Sequence, residues 1–275
     1  MYSKEEVIKA NIELHTHLAD KYKHEEPHYR PENIARIREE VISLRERTNG
    51  ERLLDVGCGM GFMIDIAKDY FKIIRGIDAT QAMLDRVDAK KSDCDIKCVL
   101  GKAEDMPFEE DYFDVCTAYA VLHHMHDVAP VFKSIFRVLK PGGIFYSDLD
   151  PNSHFWDAMK GLPEDGKYSG IVNRELNAVL RKDEELETEL NVKKGILRVA
   201  EHLKHVEGGF SETRLLADLK SAGFRGVSIK YNWYLGEGKY IHSDKKAADA
   251  VRGYLNETLP LSKHLFKYIA VYAVK

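Results

Sequence analysis

Residues 52–62 read RLLDVGCGMGF. A short apolar run ends in an acid, Asp55, and glycine then fills three alternate positions, Gly57, Gly59 and Gly61. Glycine reaches positive φ without strain and lets backbone approach a ligand closely. A strand that turns through such residues into a helix presents backbone amides above the carboxyl end of a sheet, where nucleotide-like ligands bind. A dinucleotide fingerprint needs a small residue at the sixth position counted from Gly57. Phe62 stands there, which disfavours a nicotinamide cofactor.

From residue 52 onward apolar runs alternate with helical patterns. The strand candidates are RLLDVG, KIIRGID, IKCVLGKA, FDVCTAYA and GGIFYSDLD, and the helices between them begin near Gly61, Thr80 and Val128. The runs lack clean alternation, as strands do when both faces are covered. The pattern predicts an α/β fold with a doubly wound, mostly parallel sheet. Two helices are expected before it, over 3–20 and 31–48. In the second, Ile34, Ile37, Val41 and Leu44 recur at helical spacing. After Asp150 the alternation stops. Residues 151–210 read as helical or irregular, with RKDEELETEL as a solvated helix face. SETRLLADLKSAGF then forms a helix capped by Ser211 and Gly223, and GVSIKYNWYLG and LFKYIAVYAV supply two last strands. Residues 236–262 between them read as loop with a short helix.

Composition bounds the function. The 275 residues carry a net charge of −4 and are 44% hydrophobic. That is enough for a sizeable core, and no basic excess points to nucleic acid or an anionic membrane. The four cysteines show no metal-ligand or redox spacing: Cys94 and Cys98 sit in CDIKC, with three residues between them. The first residues, MYSKEEVIKA, are charged where a signal peptide is apolar, and no run approaches the roughly 20 apolar residues of a membrane span. The expectation is a soluble, cytoplasmic protein with reduced thiols, monomer or homodimer.

DVGCGMG resembles the first motif of class I S-adenosylmethionine-dependent methyltransferases. Four more segments resemble that family in order: GIDAT at 76–80, GKAEDMPFEEDYFD at 101–114, AYAVLHHMHD at 118–127 and RVLKPGGIFY at 137–146. The resemblance implies a Rossmann-like sheet of seven strands whose last strand is antiparallel. It implies a cofactor-binding core over 51–150 and 211–275, a helical N-terminal cover over 1–50, and a helical insertion over 151–210 acting as a substrate lid.

It also implies a cofactor site. Asp78 at the second strand's end suits a ribose, whose vicinal hydroxyls a carboxylate accepts in pairs; the same side chain could cap the next helix. Asp55, Gly57, Cys58 and Gly59 form the loop beside the methionine part. Ala79 or Met83 faces the adenine, with Met83 reading first as a core residue, and Lys102, Ala103 and Glu104 stand where the family reads that ring, although many members have Asp or Asn in place of Lys102. Ala118 and Tyr119 flank the sulfonium end. Arg30 is the candidate donor to the cofactor carboxylate, with Tyr22 and Tyr29 closing the site. The implied reaction is methyl transfer to an O or N atom of a small or medium organic acceptor.

Among the histidines of LHHMH, His123 or His124 would take a proton from a hydroxyl acceptor, or would anchor the loop. No metal is assigned, because His123, His124 and His126 lack a helical i, i+4 pair and the sequence shows no carboxylate partner. His15, His17, His202 and His205 read as surface or interfacial. His154, Phe155, Trp156, Tyr231 and Trp233 are the candidate acceptor contacts. A methyltransferase acting on RNA or protein, and a cofactor-binding protein without catalysis, remain the alternatives.

Overall fold

The computed structural model describes residues 2–20, 27–89, 93–163, 165–180 and 182–275. Its centre is one sheet of seven strands: β1 (Arg52–Val56), β2 (Ile73–Asp78), β3 (Asp95–Leu100), β4 (Phe113–Tyr119), β5 (Leu139–Pro151), β6 (Arg225–Tyr234) and β7 (Phe266–Val274). Their order is β3-β2-β1-β4-β5-β7-β6. β7 runs antiparallel to β5 and β6, and the other neighbours pair in parallel. This is the sheet expected from the sequence. The strand order reverses between β1 and β4, which opens a crevice at their carboxyl ends.

Successive strand residues face opposite sides, so each apolar run feeds two cores. On one side Leu53, Ile74 and Ile144 pack with Ile37, Val41 and Leu44 of α2 (Pro31–Thr48) and Ile64 of α3 (Phe62–Ala67). On the other, Leu54, Val56 and Phe145 meet Phe132 and Ile135 of α5 (Ala129–Val138) and Leu215 and Leu219 of α11 (Glu212–Ala222). The short α4 (Gln81–Leu84) lies between β2 and β3. Helix ends follow local chemistry. Ser211 Oγ accepts the Arg214 N–H at 3.2 Å, and Gly223 ends α11 at φ +110°. In α2 the innermost residue of the first turn is Asn33, not Ile34. The amide is buried because its Nδ2 donates to Tyr119 Oη at 2.7 Å.

Among the described residues the segment after β5 holds five helices: α6 (Ser153–Lys160), α7 (Gly170–Leu180), α8 (Lys182–Glu189), α9 (Ile196–Ala200) and α10 (His202–His205). The N-terminal helix α1 (Lys4–Leu18), started by a reciprocal Ser3–Glu6 capping box, lies against them. Its Ala10, Leu14 and Leu18 share a small core with Met60, Met83, Ile196, Leu197 and Ala200. Two expectations change here. Glu187, within the stretch read as a solvated face, is buried and accepts the N–H groups of Gly195 and Leu197 at 2.8 and 3.0 Å. It ties the turn between α8 and α9. Residues 236–262 hold α12 (Glu237–Tyr240) and a long α13 (Lys245–Glu257), which Asp244 caps through the Ala247 N–H. Among the described residues, no helix is long and apolar enough to cross a membrane.

Candidate active site

Two cavities open above the carboxyl ends of the strands. The first is a narrow cleft of 160 Å³ over β1, β2 and β4. The second is a chamber of 540 Å³ between the sheet end, α2, α6, α7 and the α9–α10 corner. They share His15, His28, Ala120 and His124.

The floor of the cleft is the glycine loop. Gly57 and Cys58 both donate their N–H to Ile77 O, at 2.8 and 3.1 Å, which laces the loop to β2. Gly57 has φ +66°, and a Cβ there would lie 2.2 Å from Val121 Cγ2. Gly59 has φ +50°, lines the cleft, and an added Cβ would meet no protein atom within 4 Å. Asp78 accepts the Gly59 N–H at 2.9 Å with one oxygen and the Thr80 N–H at 2.8 Å with the other. A carboxylate has about four lone-pair positions, so capacity remains for a ligand, and its helix-start role coexists with a cavity position. Ala79, Met83, Lys102, Ala103, Glu104 and Tyr119 complete the wall with Cys58. Lys4 of α1 reaches across to Glu104 at 2.8 Å.

Four residues expected at the cofactor lie elsewhere or out of view. Asp55 is buried under the loop and accepts the Thr117 hydroxyl at 2.8 Å. Burial pushes its carboxyl up to about 7, against the Thr117 hydrogen bond and with the Asp78 charge adding to the rise. Ala118 faces the α5–α11 core, because its neighbour Tyr119 takes the cleft side of the strand. Arg30 lines the chamber instead of the cleft. Tyr22 lies outside the described residues.

The shared wall is aromatic and histidine-rich. The His28 ring sits 4.7 Å from Tyr29 and 4.9 Å from Phe62, and its backbone O accepts Asn33 Nδ2 at 2.8 Å. Burial lowers the His28 pKa to about 4. His123 contacts Asp150 twice, through its N–H at 3.1 Å and through Nδ1 at 3.0 Å. His124 Nδ1 faces the Ala200 carbonyl at 3.2 Å. Burial, then the neighbouring His123 and His15, drive the His124 pKa well below the ordinary imidazole value. His124 is therefore a neutral ring that holds a proton poorly.

In the chamber Phe155, Trp156 and Trp233 line the wall, whereas His154 and Tyr231 do not. Tyr231 donates its hydroxyl to Glu212 at 2.9 Å and packs on Phe266, on the opposite face of the outer strands. Asn152 caps α6 through the His154 N–H, which fixes the first turn of that helix. Residues not singled out from sequence supply the rest of the chamber, above all Glu201, Lys204, Arg174, Lys267 and Glu32. His15 lines both cavities, His202 is buried and the half-buried His205 bonds Glu201, so these three are interfacial groups, whereas His17 is exposed. One signal was present in the sequence for His15. Asn11 and His15 fall at i, i+4 beside the buried stripe Val7, Ala10, Leu14, Leu18, a polar pair edging an apolar face.

The cleft fits S-adenosylmethionine. Gly59 leaves space that any side chain would fill, Asp78 presents carboxylate oxygens that would suit a sugar, and Ala79, Met83 and Ala103 give an apolar slot that would suit adenine. Comparison with known proteins agrees. Residues 54–147 match the family model described as a methyltransferase domain. A probable S-adenosylmethionine-dependent methyltransferase of Mycolicibacterium smegmatis is 31% identical over 149 residues, 54% of this chain and 55% of that protein. A ubiquinone biosynthesis O-methyltransferase of Pseudomonas fluorescens is 29% identical over 143 residues, 49% and 60% of the two. The chain thus spans little more than half the length of these relatives. The crystal structure of an S-adenosylmethionine-dependent methyltransferase from Mesorhizobium loti shares the fold, with a TM-score of 0.54 at 16% identity over 86% of this chain and 96% of that one. Residues 54–147 thus carry a methyltransferase domain, and the sheet order and glycine loop are those expected of the class I S-adenosylmethionine-dependent family.

Proposed function

We propose that the protein transfers a methyl group from S-adenosylmethionine to an oxygen or nitrogen of a small or medium organic acceptor held in the chamber. The observation that carries this reading is the junction of the two cavities at His15, His28, Ala120 and His124. When bound, the cofactor supplies a methyl on a positively charged sulfur, open to in-line displacement. The protein's part is alignment and exclusion of water. Cleft and chamber each hold one reactant, and α1 with the insertion closes over the seam. Asn11 Nδ2 fastens that closure by donating to the carbonyls of His124 and Ala200 at 3.0 and 2.9 Å. His123, held by Asp150, and neutral His124 orient the loop at the seam.

The chamber's chemistry describes its occupant. Phe155, Trp156, Trp233 and Tyr268 give it aromatic surface. The indole N–H groups of Trp156 and Trp233 and one oxygen of Glu32 are buried without a hydrogen-bond partner among the described residues. An aromatic or extended apolar acceptor with several polar substituents satisfies both. A chamber of 540 Å³ also favours a small molecule over RNA or protein, and the name of the Pseudomonas relative supports oxygen as the acceptor atom. The test is incubation with methyl-labelled cofactor and a fractionated small-molecule extract. Label is expected in one metabolite-sized product. Label confined to RNA or protein, or none despite cofactor binding by calorimetry, would refute the reading.

A further inference from the structure

The structure brings to His123 and His124 a carboxylate from a distant part of the chain. Glu201, at the corner between α9 and α10, enters the chamber beside them. One donor atom from each of the three lies within 4.8 Å of the others. The two imidazole centroids are 4.2 Å apart. Each ring has Nδ1 engaged on a protein oxygen, His123 on Asp150 at 3.0 Å and His124 on the Ala200 carbonyl at 3.2 Å. That is how metal-binding imidazoles are held: a carboxylate or carbonyl takes the Nδ1 proton, fixes the tautomer, and leaves the Nε2 lone pair for the ion.

We propose that His123, His124 and Glu201 form a binding site for a divalent first-row transition ion, zinc in class, with its open positions facing the chamber. Two nitrogens and one carboxylate oxygen, with no thiolate, match the donor set of open zinc and non-haem iron sites and not the all-oxygen shells of magnesium or calcium. Donors around a tetrahedral zinc ion lie about 3.3 Å apart, so small side-chain rotations close the set. Glu201 is oriented for this by His205, at 2.7 Å, and by Lys204. Lys204 also opposes it, because its ammonium shares the carboxylate that the ion needs. An oxygen donor of the acceptor would complete the ion's shell. That consequence rests on the methyltransferase reading, and the ion site itself does not.

The test uses the whole chain, stripped with chelator and dialysed. Zinc chloride is titrated by calorimetry, cobalt chloride by visible absorption, and magnesium chloride as the control. One equivalent of zinc is expected, with d–d bands for cobalt and no heat from magnesium. Glu201→Gln and His124→Ala should each weaken zinc binding by about 10–100-fold. Lys204→Met should tighten it, and the exposed His17→Ala should leave it unchanged. Absence of stoichiometric zinc binding, or binding undiminished in both ligand variants, overturns the proposal. Circular dichroism establishes that the variants are folded, and Lys204→Met keeps the test decisive if a ligand variant is not: unchanged or weaker zinc binding there counts against the site. Cofactor calorimetry on the same samples separates the two readings. Intact cofactor binding without zinc binding refutes only the ion site, and the reverse refutes only the methyltransferase reading.

Discussion

The walls of the cleft and of the chamber are assembled from different kinds of neighbours. In the cleft, Gly57, Gly59, Asp78, Lys102 and Tyr119 each sit at the end of a parallel strand or in the loop that follows it. Their placement follows from sheet order, and several act through backbone: two positive-φ glycines, and amides that bond Ile77 and Asp78. The chamber draws on α1, the turn after β4, the end of β5, the insertion and the outer strands β6 and β7. Its residues act through side chains that converge from far apart. The Asn11 amide alone joins carbonyls 113 and 189 residues away. A ligand common to a family is held by geometry that the fold supplies. On the proposed reading, the acceptor is held by the part that this sequence adds.

The contrast breaks most visibly at Asp148, which fastens the chamber side of the sheet. Fully buried on β5, it accepts Arg36 Nη1 of α2 at 2.7 Å, the Tyr146 hydroxyl at 2.8 Å and Asn232 Nδ2 of β6 at 3.0 Å. Asp148→Ala leaves the Arg36 charge without its buried partner and should cost about 3–5 kcal/mol in denaturant unfolding. Arg36→Met together with Asp148→Ala should recover part of that loss, since no charge is then stranded. A double variant as unstable as the sum of the singles would show that the pair is not what holds this corner.

The next largest effect is pH-dependent and belongs to the seam. His28 has a folded-state pKa of about 4, below the ordinary 6.5, because it is buried. Between those values the unfolded chain binds the extra proton. Stability from this group is therefore complete above pH 6.5 and is lost as pH falls toward 4, by about 2 kcal/mol at pH 5 and about 3 kcal/mol in full. His28→Phe should flatten that part of the profile. Urea curves at pH 7.5 and 5 with equal losses in both proteins would remove His28 as the source.

In the cleft, Asp78→Ala should lower affinity for S-adenosylmethionine by about 2 kcal/mol, roughly 10–100-fold, through lost hydrogen bonds to a charged acceptor. S-adenosylhomocysteine, which has the same sugar, should weaken in parallel. Calorimetry showing unchanged affinity for both would take Asp78 out of the ligand's reach and leave it only the Gly59 and Thr80 amides.

The same contrast explains what was legible in the sequence. Strand runs, the glycine loop and the acid at Asp78 are local signals, so the sheet and the residues around the cleft follow from short stretches. Asp55 and Ala118 lie within those stretches but face away from the cleft. Alternation along a strand gives two faces and does not say which one a ligand sees. Glu201 was invisible for another reason. It stands in VAEHLKH, where nothing marks it, and it meets His123 and His124 only because α1 and the insertion fold across the sheet end. The helix read as solvated hid Glu187, whose oxygens close a turn eight and ten residues away.

The smallest and most selective test lies in the chamber. Trp156 Nε1 is buried without an acceptor among the described residues, a costly state for a donor unless a ligand or water completes it. Trp156→Phe removes the donor and keeps an aromatic face for Lys204, whose Nζ lies 5.4 Å from the indole centre. If the donor serves the acceptor, KM for that acceptor should rise about fivefold, close to 1 kcal/mol, with cofactor affinity and unfolding midpoint almost unchanged. If the donor serves nothing, the variant should instead become slightly more stable with KM unmoved, because an unsatisfied group has left the interior. Which of the two moves, KM or the midpoint, thus decides whether the aromatic wall reads a polar atom of the acceptor or only its shape.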